Sequence, residues 1–535
     1  MGVEKPLDVI VVGAGFAGLY MLHKLRESGF RTQVIEAGAG VGGTWYWNRY
    51  PGARCDIPSI EYSYSFSPEL ERDWRWTERY AAQPEILAYL DHVADRFDLR
   101  RDIRFETRVL GADWDEDALI WTVRLDDGTT LTAPYLVLAT GALSQPKTPD
   151  LPGLAQFEGA ILHTATWDDS VETAGKRIAL FGTGSSGIQA IPQLAKAAAQ
   201  LTVFQRTPNF AVPANNHPLT AEQIAAAAKT LAADREAARH SPLGFFNAPR
   251  PGSAKAQDEA DRTQRFEEQW GAGTSGMLLA YEDLLFDEES NSYAAQFIRD
   301  KIADVVVEKD KVRKLTPTGY PLGSRRMCSE IGFYETMAQD NVALVDVREE
   351  PVLEITANAI VTASGRYPAD VIVFATGFDA CVGAIKAIDI RGRDGASLRE
   401  EWAAGPRAYL GLAVAGFPNL FTVTGPGSPS VLSNVVISIE QHVDWITRCL
   451  ADLRAGGTAT IEADADAEQA WMAHVDEVAQ QTLFPRANSW YKGRTRDGRE
   501  VFMPYVGGVG TYRAKCDEVA GAGYQGFITK AGVPA

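Results

Sequence analysis

Cysteine is scarce in this chain: five among 535 residues, at Cys55, Cys328, Cys381, Cys449 and Cys516. No two of them are spaced C-x-x-C, which removes the simplest dithiol redox centre and the simplest zinc site. No stretch reaches the roughly eighteen consecutive apolar residues of a membrane-spanning helix, so no membrane partner is expected. The N-terminus lacks a basic segment followed by an apolar run and a small-residue cleavage site, so a cytoplasmic location is expected. Basic residues are outnumbered, 52 Lys and Arg against 70 Asp and Glu, for a net charge of −18. That balance argues against nucleic acid or an anionic membrane surface as the main partner.

What the chain does have is length, glycine and two similar segments. Its length predicts about two to four domains, and 45% hydrophobic with 23% charged residues is a globular composition. "DVIVVGAGFAGLYMLHKLRESGFRTQVIEAG", from Asp8, and "KRIALFGTGSSGIQAIPQLAKAAAQLTVFQRT", from Lys176, each read as strand, glycine turn, helix and strand. Val9–Val12 and Ile178–Phe181 are apolar runs suited to buried parallel strands. Leu19, Leu22 and Leu25 give the first helix an apolar stripe, and Ile188, Ile191 and Leu194 do so for the second.

Each turn carries G-x-G-x-x-G: Gly13, Gly15 and Gly18, then Gly182, Gly184 and Gly187. A strand before and a helix after turn a weak motif into a dinucleotide-binding fingerprint. The helix N-terminus then presents unpaired N–H groups and a positive dipole end to a pyrophosphate. Twenty-three residues beyond the leading glycine stands Glu36 in the first unit and Gln205 in the second. A carboxylate there accepts hydrogen bonds from a ribose and repels a 2′-phosphate. Gln205 is followed by Arg206 and Thr207, which favour a 2′-phosphate. The first site therefore suits FAD and the second NADPH rather than NADH. Thr183, Ser185, Ser186 and Gln189 are placed to meet the pyrophosphate and nicotinamide side of the second.

After Glu36 comes "GAGVGGTWYWNRYPGARCDIPS", where Gly42 and Gly43 permit close backbone approach to a cofactor. Gly43, Thr44, Trp45 and Tyr62 are assigned to the flavin site; Trp45, Tyr46 and Trp47 are either its aromatic wall or core aromatics. "YLVLATGALSQPKTP" and "DVIVFATGFDA" both end a strand in A-T-G, at Ala139–Gly141 and Ala375–Gly377. Such turns suit points where the chain passes between nucleotide domains. "LTAEQIAAAAKTLAADREAARH" reads as a helix capped by Thr220 with a glutamate close behind. With "SNSYAAQFIRDKIADVV" it suggests a helical insertion in the second domain. The part after about Ala380 has no nucleotide signature of its own and is expected to fold back on the first domain.

"FEGAILHTATWDD" has no helix stripe and only a weak strand pattern, yet it spells Phe157-x-Gly159-x-x-x-His163-x-x-x-Trp167-Asp168. This resembles the fingerprint of the type I Baeyer–Villiger monooxygenases, which in that family lies on the link between FAD and NADPH domains. The resemblance spans most of the chain: both glycine loops, "GGTWYWNRYPGARCD", both A-T-G turns, "GYPLGSRRMCSEIGFYE", "GPGSPSVLSN" and "NSWYKG". Related flavin N- and S-oxygenases usually end the motif in tyrosine or phenylalanine.

The resemblance implies an α/β fold of two Rossmann-like domains. Expected boundaries are 1–145 and 380–535 for FAD, 146–215 and 323–379 for NADP, and 216–322 for the insertion. It implies NADPH- and O2-dependent conversion of ketones to esters or lactones through a C4a-peroxyflavin, with NADP+ retained during oxygenation; the alternative is N- or S-oxygenation of amines or sulfides. It implies Arg326 as the active-site cation, Asp56 as its partner, and Arg325 at the 2′-phosphate with Arg206 and Thr207, where the family more usually has lysine. It places Trp490 on a loop over NADP and Ser430, Val431 and Leu432 in the substrate pocket. That loop resembles the phenylacetone and steroid monooxygenase branch, which points to aryl, linear or bulky ketones. His163 is read as a link between domain movements rather than a base. A monomer is expected.

Overall fold

Val9–Val12 has no polar face, and all four of its residues are buried. A strand of that kind needs a neighbour on each edge and a layer on each face. Thr32–Ile35 and Tyr135–Leu138 flank it in parallel, and Ile103–Arg104 and Leu420–Thr422 complete a five-stranded parallel sheet. The computed structural model describes residues 6–273, 276–494, 498 and 500–532.

A second five-stranded parallel sheet runs in the order Val342–Asp346, Gln200–Gln205, Arg177–Phe181, Val371–Phe374, Ala160–His163. The fold is α/β with two Rossmann-type units. The weak strand pattern of "AILH" has a simple cause. Ala160–His163 is an edge strand, and Ile161 turns 46% of its surface to solvent.

The C-terminal part returns to the first sheet through Leu420–Thr422, paired with Tyr135–Leu138. The helix Val435–Ala455 lies against Phe16–Glu27, where the Tyr20 hydroxyl donates to Asp444 at 2.8 Å. Helices Ala221–His240, Glu259–Ala272, Glu288–Val305 and Lys309–Leu315 fall between strands Ala211–Pro213 and Cys328–Glu330. Thr220 caps the first of them, but the residue completing its capping box is Gln223, not the neighbouring Glu222. Among the described residues no helix is long and apolar enough to cross a membrane.

Candidate active site

The two glycine turns are built alike. Gly13 has φ +102° and Gly182 φ +111°, a left-handed region open to glycine. A Cβ on Gly13 would lie 2.6 Å from the Ala139 carbonyl oxygen, and one on Gly182 would meet the Ala375 carbonyl oxygen. Each A-T-G turn therefore packs on the first glycine of its own unit.

The helices behind these turns, Phe16–Glu27 and Ser185–Ala197, begin at Gly15 and Gly184 with no side-chain cap and no acid in the first turn. Elsewhere Thr220, Asp258, Asp287 and Asp464 cap their helices with their own oxygens. A Cβ on Gly184 would meet nothing within 4 Å. Open N–H groups, no competing carboxylate and free space at the second turn fit a pyrophosphate.

Glu36 is buried, and its oxygens accept from Ala14 N and Gly38 N, both at 2.7 Å. Burial raises its pKa, against the pull of those main-chain donors. Each carboxylate oxygen keeps a further lone pair for a ribose hydroxyl. Gln205, its counterpart, is wholly buried between the Thr183 hydroxyl at 3.1 Å and the Lys314 carbonyl at 2.7 Å. The Thr183 side chain is thus engaged within its own unit. Arg206 is exposed beside it.

Arg325 stacks over Tyr320, 5.3 Å from the ring centroid, and its buried Nε has no hydrogen-bond partner among the described residues. The Tyr320 hydroxyl donates to the Pro208 carbonyl at 2.7 Å, which ties Arg325 to the turn after Arg206 and Thr207. A buried guanidinium nitrogen without an acceptor fits a phosphate oxygen absent from the chain itself.

Asp56 and Arg326, 270 residues apart in sequence, meet as a fork. Nε donates to Oδ2 at 2.9 Å and Nη2 to Oδ1 at 2.6 Å, while Nη1 donates to the Val431 carbonyl at 3.0 Å. The Arg326 side chain is 31% exposed and that of Asp56 18%. Burial pulls the guanidinium pKa down, but the Asp56 charge and hydrogen bonds more than offset it, and the net direction is upward. Arg326 is therefore a permanent cation.

Around this pair the thiols are inert. Burial raises the Cys55 pKa and pushes that of Cys328 up to about 11, so neither carries thiolate near neutral pH. All five cysteines are buried and unpaired.

Trp45 is buried and its indole donates to the Tyr62 hydroxyl at 3.2 Å, whereas Thr44 is exposed. Gly43, at φ +53°, brings its Cα within 3.3 Å of where a Cβ on Gly15 would stand. Ser430 holds φ +42° with its buried Oγ unpartnered among the described residues, and Val431 is buried beside it. A left-handed serine is a strained position of the kind found where a loop is shaped for a ligand. Leu432 packs on the same apolar cluster as Trp490, whose ring centroid is 4.5 Å from that of Tyr491. Tyr491, not singled out from sequence, is buried, and Arg326 and Asp56 act on its hydroxyl. Burial raises its pKa and the Arg326 charge opposes the rise.

In the link motif Phe157 is buried, and a Cβ on Gly159 would come 2.7 Å from the Phe157 ring. His163 is buried, with Nδ1 accepting from Ala165 N at 3.0 Å. Burial lowers its pKa, with the Lys147 main chain opposing. With its Nδ1 lone pair taken by the Ala165 amide and its basicity lowered by burial, this imidazole is a poor general base. Trp167 packs on the second domain's core, and Asp168 is an exposed turn residue accepting from Ser170 N and Oγ at 2.9 and 2.6 Å. The Gln189 amide is engaged by Arg54 and Tyr50.

Residues 7–231 match the family model for pyridine nucleotide-disulphide oxidoreductases, without a cysteine pair to match the second half of that name. Phenazine N-monooxygenase of Lysobacter antibioticus is 42% identical over 97% of this chain and 96% of its own length. Acetone monooxygenase (methyl acetate-forming) of Gordonia sp. is 39% identical over 97% and 98%. A Baeyer–Villiger monooxygenase of Pseudooceanicola batsensis is 39% identical over 98% and 97%. Among solved structures, oxidized steroid monooxygenase bound to NADP superposes with a TM-score of 0.94 at 50% identity, covering 99% of this chain and 100% of that one. OTEMO complexed with FAD and NADP gives 0.95 at 37%, covering 98% and 100%. With these likenesses along nearly its whole length, the chain belongs to the type I Baeyer–Villiger monooxygenase family and is an FAD- and NADPH-dependent monooxygenase.

Proposed function

We propose that this enzyme inserts oxygen beside the carbonyl of a bulky ketone, with Arg326 as the catalytic cation and Asp56 as the residue that holds it. The net reaction balances: ketone, O2, NADPH and H+ give ester or lactone, NADP+ and H2O. Bound FAD supplies the activation of O2, and NADPH supplies the two electrons. The observation that carries the reading is the Asp56–Arg326 fork beside the pocket loop.

Attack at a ketone carbon leaves negative charge on the former carbonyl oxygen. A fixed guanidinium whose geometry is set beforehand stabilises that charge without reorganising at the moment of reaction. Nε and Nη2 are occupied by Asp56, and Nη1 is shared with the Val431 carbonyl. The remaining N–H directions are those available to substrate.

Glu36 and the first glycine turn hold the FAD ribose and pyrophosphate; Gly43, Trp45 and Tyr62 wall the flavin. The second turn with Ser185 and Ser186 holds the NADP pyrophosphate, and Arg206, Thr207 and Arg325 the 2′-phosphate. Ser430, Val431 and Leu432 line the substrate pocket, and Trp490 covers the NADP side. The 50% identity to steroid monooxygenase supports a bulky ketone. The unpaired state of all five cysteines suits a reducing cytoplasm.

The 42% identity to a phenazine N-monooxygenase is the one observation favouring N-oxygenation. The two readings part at Arg326, because transfer of oxygen to a soft nitrogen develops no carbonyl oxyanion. The test is NADPH consumption with steroid, aryl and cyclic ketones, a phenazine and a sulfide, with product masses recorded. An ester one oxygen heavier than the ketone, lost about 10²–10³-fold in Arg326→Met while flavin reduction continues, is expected. Unchanged ester formation in that variant would overturn the role given to Arg326.

A further inference from the structure

The Ser185–Ala197 helix does more than open its N-terminus to a cofactor. Cys55 N donates to the Ala81 carbonyl at 3.1 Å and Gln83 N to the Ala53 carbonyl at 2.9 Å. These bonds form a short antiparallel bridge between Arg54 and Ala82. In such a bridge the N–H and C=O of Arg54 point away from the partner strand. They would be a bare strand edge, and the Gln189 amide fills it. Arg54 N donates to Gln189 Oε1 at 3.3 Å, and Gln189 Nε2 donates to the Arg54 carbonyl at 3.0 Å. The Tyr50 hydroxyl donates to the same Oε1 at 2.7 Å. A Cβ on Gly52 would lie 2.5 Å from the Gln189 carbonyl oxygen, so the turn rests directly on the helix.

One turn earlier on the same helix face, Ser185 Oγ lies 3.5 Å from Cys328 Sγ. Residues four apart share a face. That face therefore touches Arg54, two residues before Asp56, and Cys328, two residues after Arg326.

We propose that Gln189 is a positioning residue through which the NADP-binding helix sets the alignment of Asp56 with Arg326. This rests on the reading of Arg326 as the catalytic cation. Among the described residues the Gln189 side chain hydrogen-bonds to Arg54 and Tyr50, not to the ion pair. It holds the main chain that carries Asp56, so a displacement of the helix is passed to the carboxylate and from there to the guanidinium fork. Loss of the clamp leaves hydride delivery intact and loosens the cation at the ketone oxygen. Reduced enzyme that does not oxygenate ketone then returns O2 as H2O2, with NADPH, H+ and O2 giving NADP+ and H2O2.

The experiment uses the FAD-loaded full-length enzyme and compares parent, Gln189→Met and Tyr50→Phe. Methionine keeps length and volume and removes every hydrogen bond. Flavin reduction by NADPH and the KM for NADPH should stay within about twofold of parent. Ester formed per NADPH should fall at least fivefold, with H2O2 making up the difference. Tyr50→Phe leaves the amide on Arg54 and should lower the yield less. Unchanged ester per NADPH in Gln189→Met overturns the proposal and makes the clamp a packing contact. A tenfold rise in the KM for NADPH with full coupling overturns it too, since Gln189 would then be a cofactor contact.

Should Gln189→Met not accumulate as yellow protein, Gln189→Leu removes the donor and the acceptor on Arg54 without adding a charge. The same fall in coupling is expected, and full coupling overturns the proposal. Arg326→Met run alongside separates the two claims: if that variant still makes ester, the catalytic assignment fails rather than the clamp alone.

Discussion

At the scale of single residues, two groups carry expectations that geometry makes specific. Arg325 has a buried Nε without an acceptor among the described residues and a ring beneath it. A hydrogen bond to a charged group contributes about 1.5–3 kcal/mol. Arg325→Ala should therefore raise the KM for NADPH roughly 10–100-fold and leave that for NADH nearly unchanged. Arg325→Lys keeps the charge but not the planar fork, and should fall between. Steady-state kinetics with both coenzymes decide it; equal losses for the two would place Arg325 away from the 2′-phosphate.

His442 is the second. It is wholly buried on the Val435–Ala455 helix, with Nδ1 accepting from Thr424 N at 2.9 Å and Nε2 facing the Tyr512 hydroxyl at 2.9 Å. Burial, helped by the Arg513 charge, pushes its pKa down to about 3. An unfolded histidine titrates near 6.5. Between those values the unfolded chain binds more protons, so the contribution to stability is whole above about pH 6.5 and is lost as pH falls toward 3. The loss amounts to a few kcal/mol, on the order of the shift itself. Melting curves from pH 7 to 4 should show His442→Asn less stable than parent at pH 7 but with a flatter decline. An equally steep decline would move the acid lability elsewhere. Glu61, whose pKa burial pushes up to about 7, works in the opposite sense, favouring the fold as pH drops.

At the scale of elements, the paired glycine turns make the two cofactor sites separable. Gly13→Ala sets a side chain at φ +102° against the Ala139 carbonyl; Gly182→Ala does the same at φ +111° against Ala375. Each costs at least about 1–2 kcal/mol of left-handed strain before the clash. The first should purify with little flavin. The second should purify yellow yet be reduced slowly by NADPH, a contrast read from flavin absorbance and anaerobic reduction. Two yellow, NADPH-competent proteins would show that neither turn needs its glycine.

These turns were legible from sequence because strand, turn and helix are consecutive and each signal is local. The edge strand Ala160–His163 was faint because one of its faces meets solvent, which erases the apolar run. Nothing in the residues themselves paired Asp56 with Arg326 across 270 positions; only the family resemblance did. The partners of Gln189 were missed for the same reason. A glutamine on a helix face does not announce which loop's main chain lies opposite. Tyr491 passed unnoticed because a tyrosine beside Trp490 reads as packing.

At the scale of the molecule, the first sheet is assembled from distant pieces of chain. Val9–Val12 and Tyr135–Leu138 come early, while Leu420–Thr422 arrives only after the whole second unit has been laid down. The second sheet, from Ala160–His163 to Val371–Phe374, is contained within that interval. Closing the first sheet therefore carries the larger loop-closure entropy and depends more on whatever binds at the turns that end its inner strands. A ligand that binds only the folded unit stabilises it by about 2.7 kcal/mol at a hundred times its Kd. With FAD on the Gly13 turn and Glu36, as proposed above, FAD should protect the early and late strands together, and NADP+ should protect only the enclosed unit. In hydrogen exchange on apoprotein, amides of Val9–Val12, Tyr135–Leu138 and Leu420–Thr422 should exchange as one group and slow together when FAD is added. Those of Arg177–Phe181 and Gln200–Gln205 should barely respond to FAD and slow with NADP+. If FAD protected the early strands but left Leu420–Thr422 exchanging freely, the late strand would be an accessory to the first sheet rather than part of the cofactor-dependent unit.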